Sequence, residues 1–137
     1  MDIDVELTQD ALTELNAEIT REGHSGPGWL GISGLGGDER AVFVVARIDG
    51  AVVGCATLSG LRGPDGELLK LYVSQPCRGT GVGEALVHAA FEEARRLGVE
   101  RLHIEIAGGS RPFWTRALEG QRMDYIPPAF VEVFLDA

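Results

Sequence analysis

Apolar residues recur along the chain at two spacings, and these mark out its elements. Leu12, Leu15 and Ile19 fall on one face at the helical period, which predicts a helix over residues 8–22 with Thr8 as its N-cap and Gly23 as its stop. Residues 23–37 carry many glycines and no period. They read as a long surface loop, placed to act as a lid over a substrate or simply to connect. Two β-rich runs, 41–47 and 51–59, flank Asp49-Gly50, the turn pair of a tight hairpin. Residues 61–66 read as a loop, 67–73 as a third strand, and Pro76 as a turn. Gly83, Leu86, Val87, Ala90, Phe91, Ala94 and Leu97 share one helical face opposite Glu84, His88, Glu92, Arg95 and Arg96. This predicts a helix over residues 82–97, stopped by Gly98. A strand follows over 99–106, with Leu102, Ile104 and Ile106 alternating against His103 and Glu105, then a short helix over 111–118. The tail, 121–136, reads as one or two strands broken by Pro127-Pro128. The order α, β-hairpin, β, α, β, α, β describes a mixed α/β (α+β) domain with one βαβ crossover.

Size and charge narrow the functions open to such a domain. A chain of 137 residues forms one domain, residues 1–137, able to bury a core without disulfides or metal. The net charge of -9 argues against nucleic acid, which requires clustered Lys and Arg on phosphates. It suits a cationic substrate through long-range attraction, and equally keeps a protein soluble. No apolar run has a membrane span's length, and the acidic start Met1-Asp2-Ile3-Asp4-Val5-Glu6 lacks the apolar segment of a signal peptide. Cys55 and Cys77 are too few for a disulfide framework or a zinc site. Cys55 lies in an apolar strand pattern as a small core residue, and Cys77 stands just before a glycine loop. Reduced thiols in the cytoplasm are the expectation.

The densest chemistry is the run Arg78-Gly79-Thr80-Gly81-Val82-Gly83, between the third strand and the long helix. Alternate glycines leave backbone N–H groups unobstructed where a helix begins, with its unpaired amides and positive dipole end. That is an anion site suited to phosphate or pyrophosphate, and Arg78 adds a charge able to fork onto phosphate oxygens. A P-loop requires Gly-Lys-Ser/Thr, but Glu84 follows Gly83. A dinucleotide fingerprint requires Gly-x-Gly-x-x-Gly; the spacing differs here, and the chain is too short for the doubly wound fold. An acyl-CoA site is the third reading.

At this point the chain resembles the GNAT superfamily of acyl-CoA-dependent N-acetyltransferases. Their motif, Gln/Arg-x-x-Gly-x-Gly/Ala, is met by Arg78, Gly81 and Gly83, after a strand ending Leu71-Tyr72-Val73 and before an amphipathic helix. The flanking elements agree in order, so the resemblance spans residues 8–137. It implies a GNAT-like mixed sheet of about six to seven strands flanked by about three to four helices, with the cofactor in the splay between the two central strands. It implies acetyl-CoA as cosubstrate, no metal, and transfer of the acetyl group directly to a primary amine of a small molecule or protein. Backbone groups of Leu71, Tyr72 and Val73 would bond the pantetheine arm. Amides of Arg78, Gly79, Thr80, Gly81, Val82 and Gly83 would hold the pyrophosphate, with Glu84 starting the helix beneath. Relatives often dimerise through their last strands, which adds a second copy of the chain to the implied partners.

Direct transfer to an amine requires a base for the amine's proton, a donor for the carbonyl oxygen, and a proton for the departing thiolate. Glu67 is the candidate base. It begins the motif strand, where relatives often hold a carboxylate, and by a period of two it shares a face with Leu69, Leu71 and Val73. Glu105 and His103, on the next strand, are the alternatives; His88 belongs to a solvated helix face and His24 to the glycine-rich loop. Many relatives carry a Tyr on the last short helix as the thiolate's proton donor, often as Phe-Tyr, where this chain has Phe113-Trp114. Trp114 can pack on the cofactor arm, but its indole is a poor acid. The relatives' Asn at the start of that helix is missing, and Ser110 is the nearest polar substitute; Tyr125 offers a hydroxyl from the tail. Solvent is the remaining proton source. The missing Tyr keeps open a non-catalytic acyl-CoA-binding or regulatory domain, and an interaction module binding another anion is a third possibility.

Overall fold

The computed structural model describes residues 1–7, 12–22, 41–106 and 108–135. The Thr8 cap, the Gly23 stop and the lid reading of residues 23–37 lie outside the described residues. A seven-stranded mixed sheet carries helices on both faces. Its strands are β1 (Asp2–Glu6), β2 (Val42–Ile48), β3 (Ala51–Arg62), β4 (Asp65–Val73), β5 (Arg101–Glu105), β6 (Met123–Ile126) and β7 (Phe130–Phe134), in the order β1-β2-β3-β4-β5-β7-β6. The helices are α1 (Thr13–Arg21), α2 (Val82–Arg96) and α3 (Arg111–Ala117).

The β2–β3 hairpin turns at Asp49 and Gly50 as the sequence predicts, both with positive φ (52° and 82°), the requirement of a type I′ turn. The main core lies between the sheet and α2, where Leu86, Val87, Ala90 and Phe91 meet Val44, Ala56, Leu58, Leu68, Leu102 and Ile104. A smaller core lies under α1, where Leu12, Leu15 and Ile19 cover Phe43, Val45, Cys55 and Tyr72. Burial pushes the Cys55 thiol up to about 12, as befits a core residue.

The structure corrects three expectations. First, β1 was not anticipated: Ile3 and Val5 alternate with acids, too short a signal to read, and the strand is held by backbone pairing to β2 and by Arg47 reaching Asp4 (3.3 Å) and Glu6 (2.7 Å). Second, the expected loop at 61–66 is strand on both sides of a tight Gly63-Pro64 turn, with Arg62 opposite Asp65; pairing with neighbours overrides the glycines. The tail is two strands broken by Pro127-Pro128, as the sequence predicts: they form the β6–β7 hairpin, with β7 inserted against β5.

Third, the face of Glu67 differs. The β3–β4 register slips between Thr57↔Lys70 and Leu58↔Leu68, which leaves Leu69 as an extra residue. A bulge of this kind reverses the alternation. Leu68 before it and Leu71 and Val73 after it all face α2, so Glu67 faces the α1 side with Ser59, its cross-strand partner, and not with Leu71 and Val73.

Candidate active site

The two central strands, β4 and β5, run parallel but pair only from Asp65↔Arg101 to Leu68↔Ile104. Their ladder ends at Leu68, so among the described residues β5 does not pair with β4 over Leu69–Val73, while the other edge of β4 stays bonded to β3. A groove of about 540 Å³ follows this opening, lined in part by Leu71, Val73, Gly83, Glu105, Ser110 and Phe113. A second cavity, of about 360 Å³, adjoins it over the glycine loop and is lined by Val73, Cys77, Arg78, Gly79, Gly81, Gly83, Glu84, Phe113 and Arg116.

The glycine loop is built for that cavity. A short 3₁₀ turn at Gln75–Cys77 leads into it, and Gly81, with φ of +92°, is the N-cap of α2. A Cβ at Gly79 or Gly81 would meet nothing within 4 Å, so these glycines supply backbone shape next to open space, and the first-turn amides of α2 have no partner within the helix. Gly83 is different: a Cβ there would lie 2.8 Å from Phe113 Cε1, so this glycine admits the Phe113 ring. The expected set of pyrophosphate amides loses one member, because the Arg78 amide donates to the Gln75 carbonyl at 3.2 Å.

The guanidinium of Arg78 is anchored on three sides. Its Nε donates to the Val73 carbonyl (2.9 Å), one terminal nitrogen reaches both Glu22 oxygens (3.0 and 3.1 Å), and the group lies 5.2 Å from the Tyr72 ring centre. The buried Tyr72 hydroxyl donates toward Glu18 and Glu22, and Glu18 also accepts from Ser74 Oγ (2.8 Å) and the Gln75 amide (3.2 Å). Burial, then the two carboxylates, push the Tyr72 phenol above its ordinary value. Hydrogen bonds from Tyr72 and Arg78 hold Glu22 below the usual carboxylate range. Burial pushes Glu18 the other way, but bonds from Tyr72, Ser74 and Gln75 outweigh it and leave its pKa lowered. The sequence reading missed Glu18 and Glu22; their i, i+4 spacing on the first helix was the available signal. It also missed Arg116, which pairs with Glu84 at 3.3 Å beside the cavity.

Phe113, not Trp114, stands against the glycine loop. Trp114 is 6% exposed in the main core, edge-on to Phe113 at 5.1 Å, and only borders the groove. Tyr125 is turned away from the splay. Its hydroxyl donates to the Pro128 carbonyl, and its ring lines a separate apolar cavity with Arg111, Met123 and Val131.

On the α1 side, cross-strand neighbours form a polar row. Ser59 pairs with Glu67, Glu67 with His103, His103 with Glu132, and Glu132 with Asp124. Adjacent strands lie about 4.8 Å apart, so three carboxylates and an imidazole span the sheet one residue below the point where β4 and β5 part. Glu105, on the same side of β5, is exposed and borders the groove.

The model of the acetyltransferase (GNAT) family matches residues 9–118. The chain belongs to the acetyltransferase (GNAT) family. Among solved structures this GNAT chain is similar to Tetrahymena GCN5, with a TM-score of 0.70 and 13% identity over 99% of this chain and 97% of that one. It is also similar to an aminoglycoside 6'-N-acetyltransferase complexed with coenzyme A, with a TM-score of 0.67 and 14% identity over 100% and 98% of the two chains. Both likenesses are of fold. A curated relative, "IAA acetyltransferase" from Azospirillum brasilense, is 36% identical over 64 residues, 46% of this chain and 42% of the relative. The chain therefore aligns with under half the length of that relative.

Proposed function

We propose that the chain is an N-acetyltransferase that moves an acetyl group from acetyl-CoA directly to a primary amine. The observation that carries this reading is the open edge of β4 beside the glycine-capped start of α2, with two adjoining cavities that fit a pyrophosphate and its extended arm. Amides of Gly79, Thr80, Gly81, Val82, Gly83 and Glu84 receive the pyrophosphate, with Arg78 and Arg116 as counter-charges. Backbone groups along β4 at Leu71, Tyr72 and Val73, on the edge past the end of the β5 ladder, receive the amide-rich arm. Phe113 and Ser110 line its path, and the edge of Trp114 backs it.

The polar row supplies the acid–base side. An amine approaching from the α1 face meets Glu67 at the foot of the splay. Glu67 accepts the ammonium proton, the C–N bond forms as the C–S bond breaks, the amine's second proton passes to solvent, and solvent protonates the thiolate, because no phenol lines the groove among the described residues. Glu132, Asp124 and the net charge of -9 favour a cationic acceptor. The two free cysteines are compatible with a cytoplasmic setting. Exposed Met123, Tyr125, Ile126 and Phe130 at the β6–β7 edge support a homodimer, which light scattering tests.

Free-thiol release from acetyl-CoA across a panel of amines is the deciding assay. Glu67→Gln should lower the transfer rate roughly 10²–10⁴-fold with little change in the Michaelis constant for acetyl-CoA. The missing phenol also favours a second reading, an acyl-CoA-binding domain without turnover. Acetyl-CoA binding with no thiol release for any amine would establish it.

A further inference from the structure

A site for a polyanion sits against two carboxylates. Glu18 and Glu22, one turn apart on α1, are tied by hydrogen bonds to Tyr72, Ser74, the Gln75 amide and Arg78, the four residues that lead into the glycine loop. With one guanidinium among them, the cluster carries a net charge of -1, where a cation would serve pyrophosphate better. The two acids do different work. Glu18 accepts from a hydroxyl, a phenol and a backbone amide, and meets Arg78 through charge at a distance, not through a hydrogen bond, so it pins α1 to the loop. Glu22 takes the Arg78 terminal nitrogen on both its oxygens.

We propose that Glu22 is a positioning residue that acts through Arg78: it holds the guanidinium at the rim of the phosphate cavity and competes with the pyrophosphate for it. This rests on the acyl-CoA reading of the site. The Nε bond to the Val73 carbonyl fixes one edge of the guanidinium, so Arg78 can exchange its partner at the other edge without leaving the cavity. An incoming pyrophosphate takes over the terminal nitrogen, and Glu22 is released from it. Glu22, at the C-terminal end of α1, keeps its bond from Tyr72, and Glu18 keeps its own bonds, so the exchange leaves the helix docked on the loop.

The pair is partly exposed, with side chains 45% and 25% accessible, so the competition is worth no more than a surface ion pair. Glu22→Gln, which keeps an acceptor for Tyr72, should tighten CoA about two- to fivefold by calorimetry. The gain should vanish for acetyl-pantetheine, which lacks the pyrophosphate, and in an Arg78→Ala background. Glu18→Gln removes an equal charge without touching Arg78 and should leave CoA affinity within about a factor of two, on the same scale of surface pairs. A Glu22→Gln protein that binds CoA no tighter, gains as much for acetyl-pantetheine, or is matched by Glu18→Gln overturns the proposal and leaves the acyl-CoA reading intact. A wild-type chain that binds no CoA overturns both.

Discussion

Gly83→Ala separates stability from cofactor binding at a single methyl group. The added Cβ would lie 2.8 Å from Phe113 Cε1 and 3.2 Å from Cζ. Carbon atoms settle at about 3.5 Å or more, so the ring must retreat by about 0.7 Å at its nearer carbon. Without ligand the ring borders both cavities and can retreat into them. Gly83 lies in the first turn of α2, where Ala is favoured over Gly by up to about 1 kcal/mol. The two effects oppose each other, and the melting temperature should move by no more than a few degrees. With CoA bound, the space that received the ring is filled. The overpacking cost, about 1–3 kcal/mol, then falls on the complex, and the Kd for CoA should rise about 5- to 150-fold. Scanning fluorimetry without ligand and calorimetry with CoA measure the two halves. Gly83→Ala with Phe113→Leu should recover most of the affinity, since the shorter side chain vacates the contact. Wild-type affinity in Gly83→Ala, or no recovery in the double variant, would refute this account of the glycine and of where the cofactor runs.

Three further outcomes follow from the same geometry. Glu18 and Glu22 have lowered pKa values in the fold, so the stability they contribute is present above the ordinary carboxylate value of 4.5 and is lost as pH falls below it; a melting series from pH 7 to 3.5 should show the loss, less steeply in Glu18→Gln. Gly81→Glu should abolish CoA binding while far-UV circular dichroism remains native, because the carboxylate projects where pyrophosphate must approach; the φ of +92° adds a strain of about 1–2 kcal/mol that the fold should survive. Thiol titration of the native protein at pH 8 should count one fast thiol, Cys77 at the cavity over the glycine loop, which acetyl-CoA should protect, while Cys55, fully buried with its pKa pushed up to about 12, reacts only on unfolding.

Local pattern was enough for much of this protein. The period of α2, the Asp49-Gly50 hairpin and the strand–glycine loop–helix order are local properties, written in neighbouring residues, and they sufficed to name the family and to single out the glycine loop that lines a cavity. Three features depended on residues far apart in the chain. The bulge at Leu69 arises from pairing with β3, and it alone decides that Glu67 faces the α1 side; a period of two counted along β4 cannot detect an extra residue that only a partner strand reveals. The row from Ser59 to Asp124 draws one residue from each of five strands, so it exists only once their registers are set. The carboxylates that hold Tyr72 and Arg78 come from a helix more than fifty positions upstream, brought there because Leu15 and Ile19 bury against Phe43 and Tyr72. Sequence order determines where the backbone can bend into the glycine loop; which side chains surround that loop is decided by apolar burial that brings distant elements together.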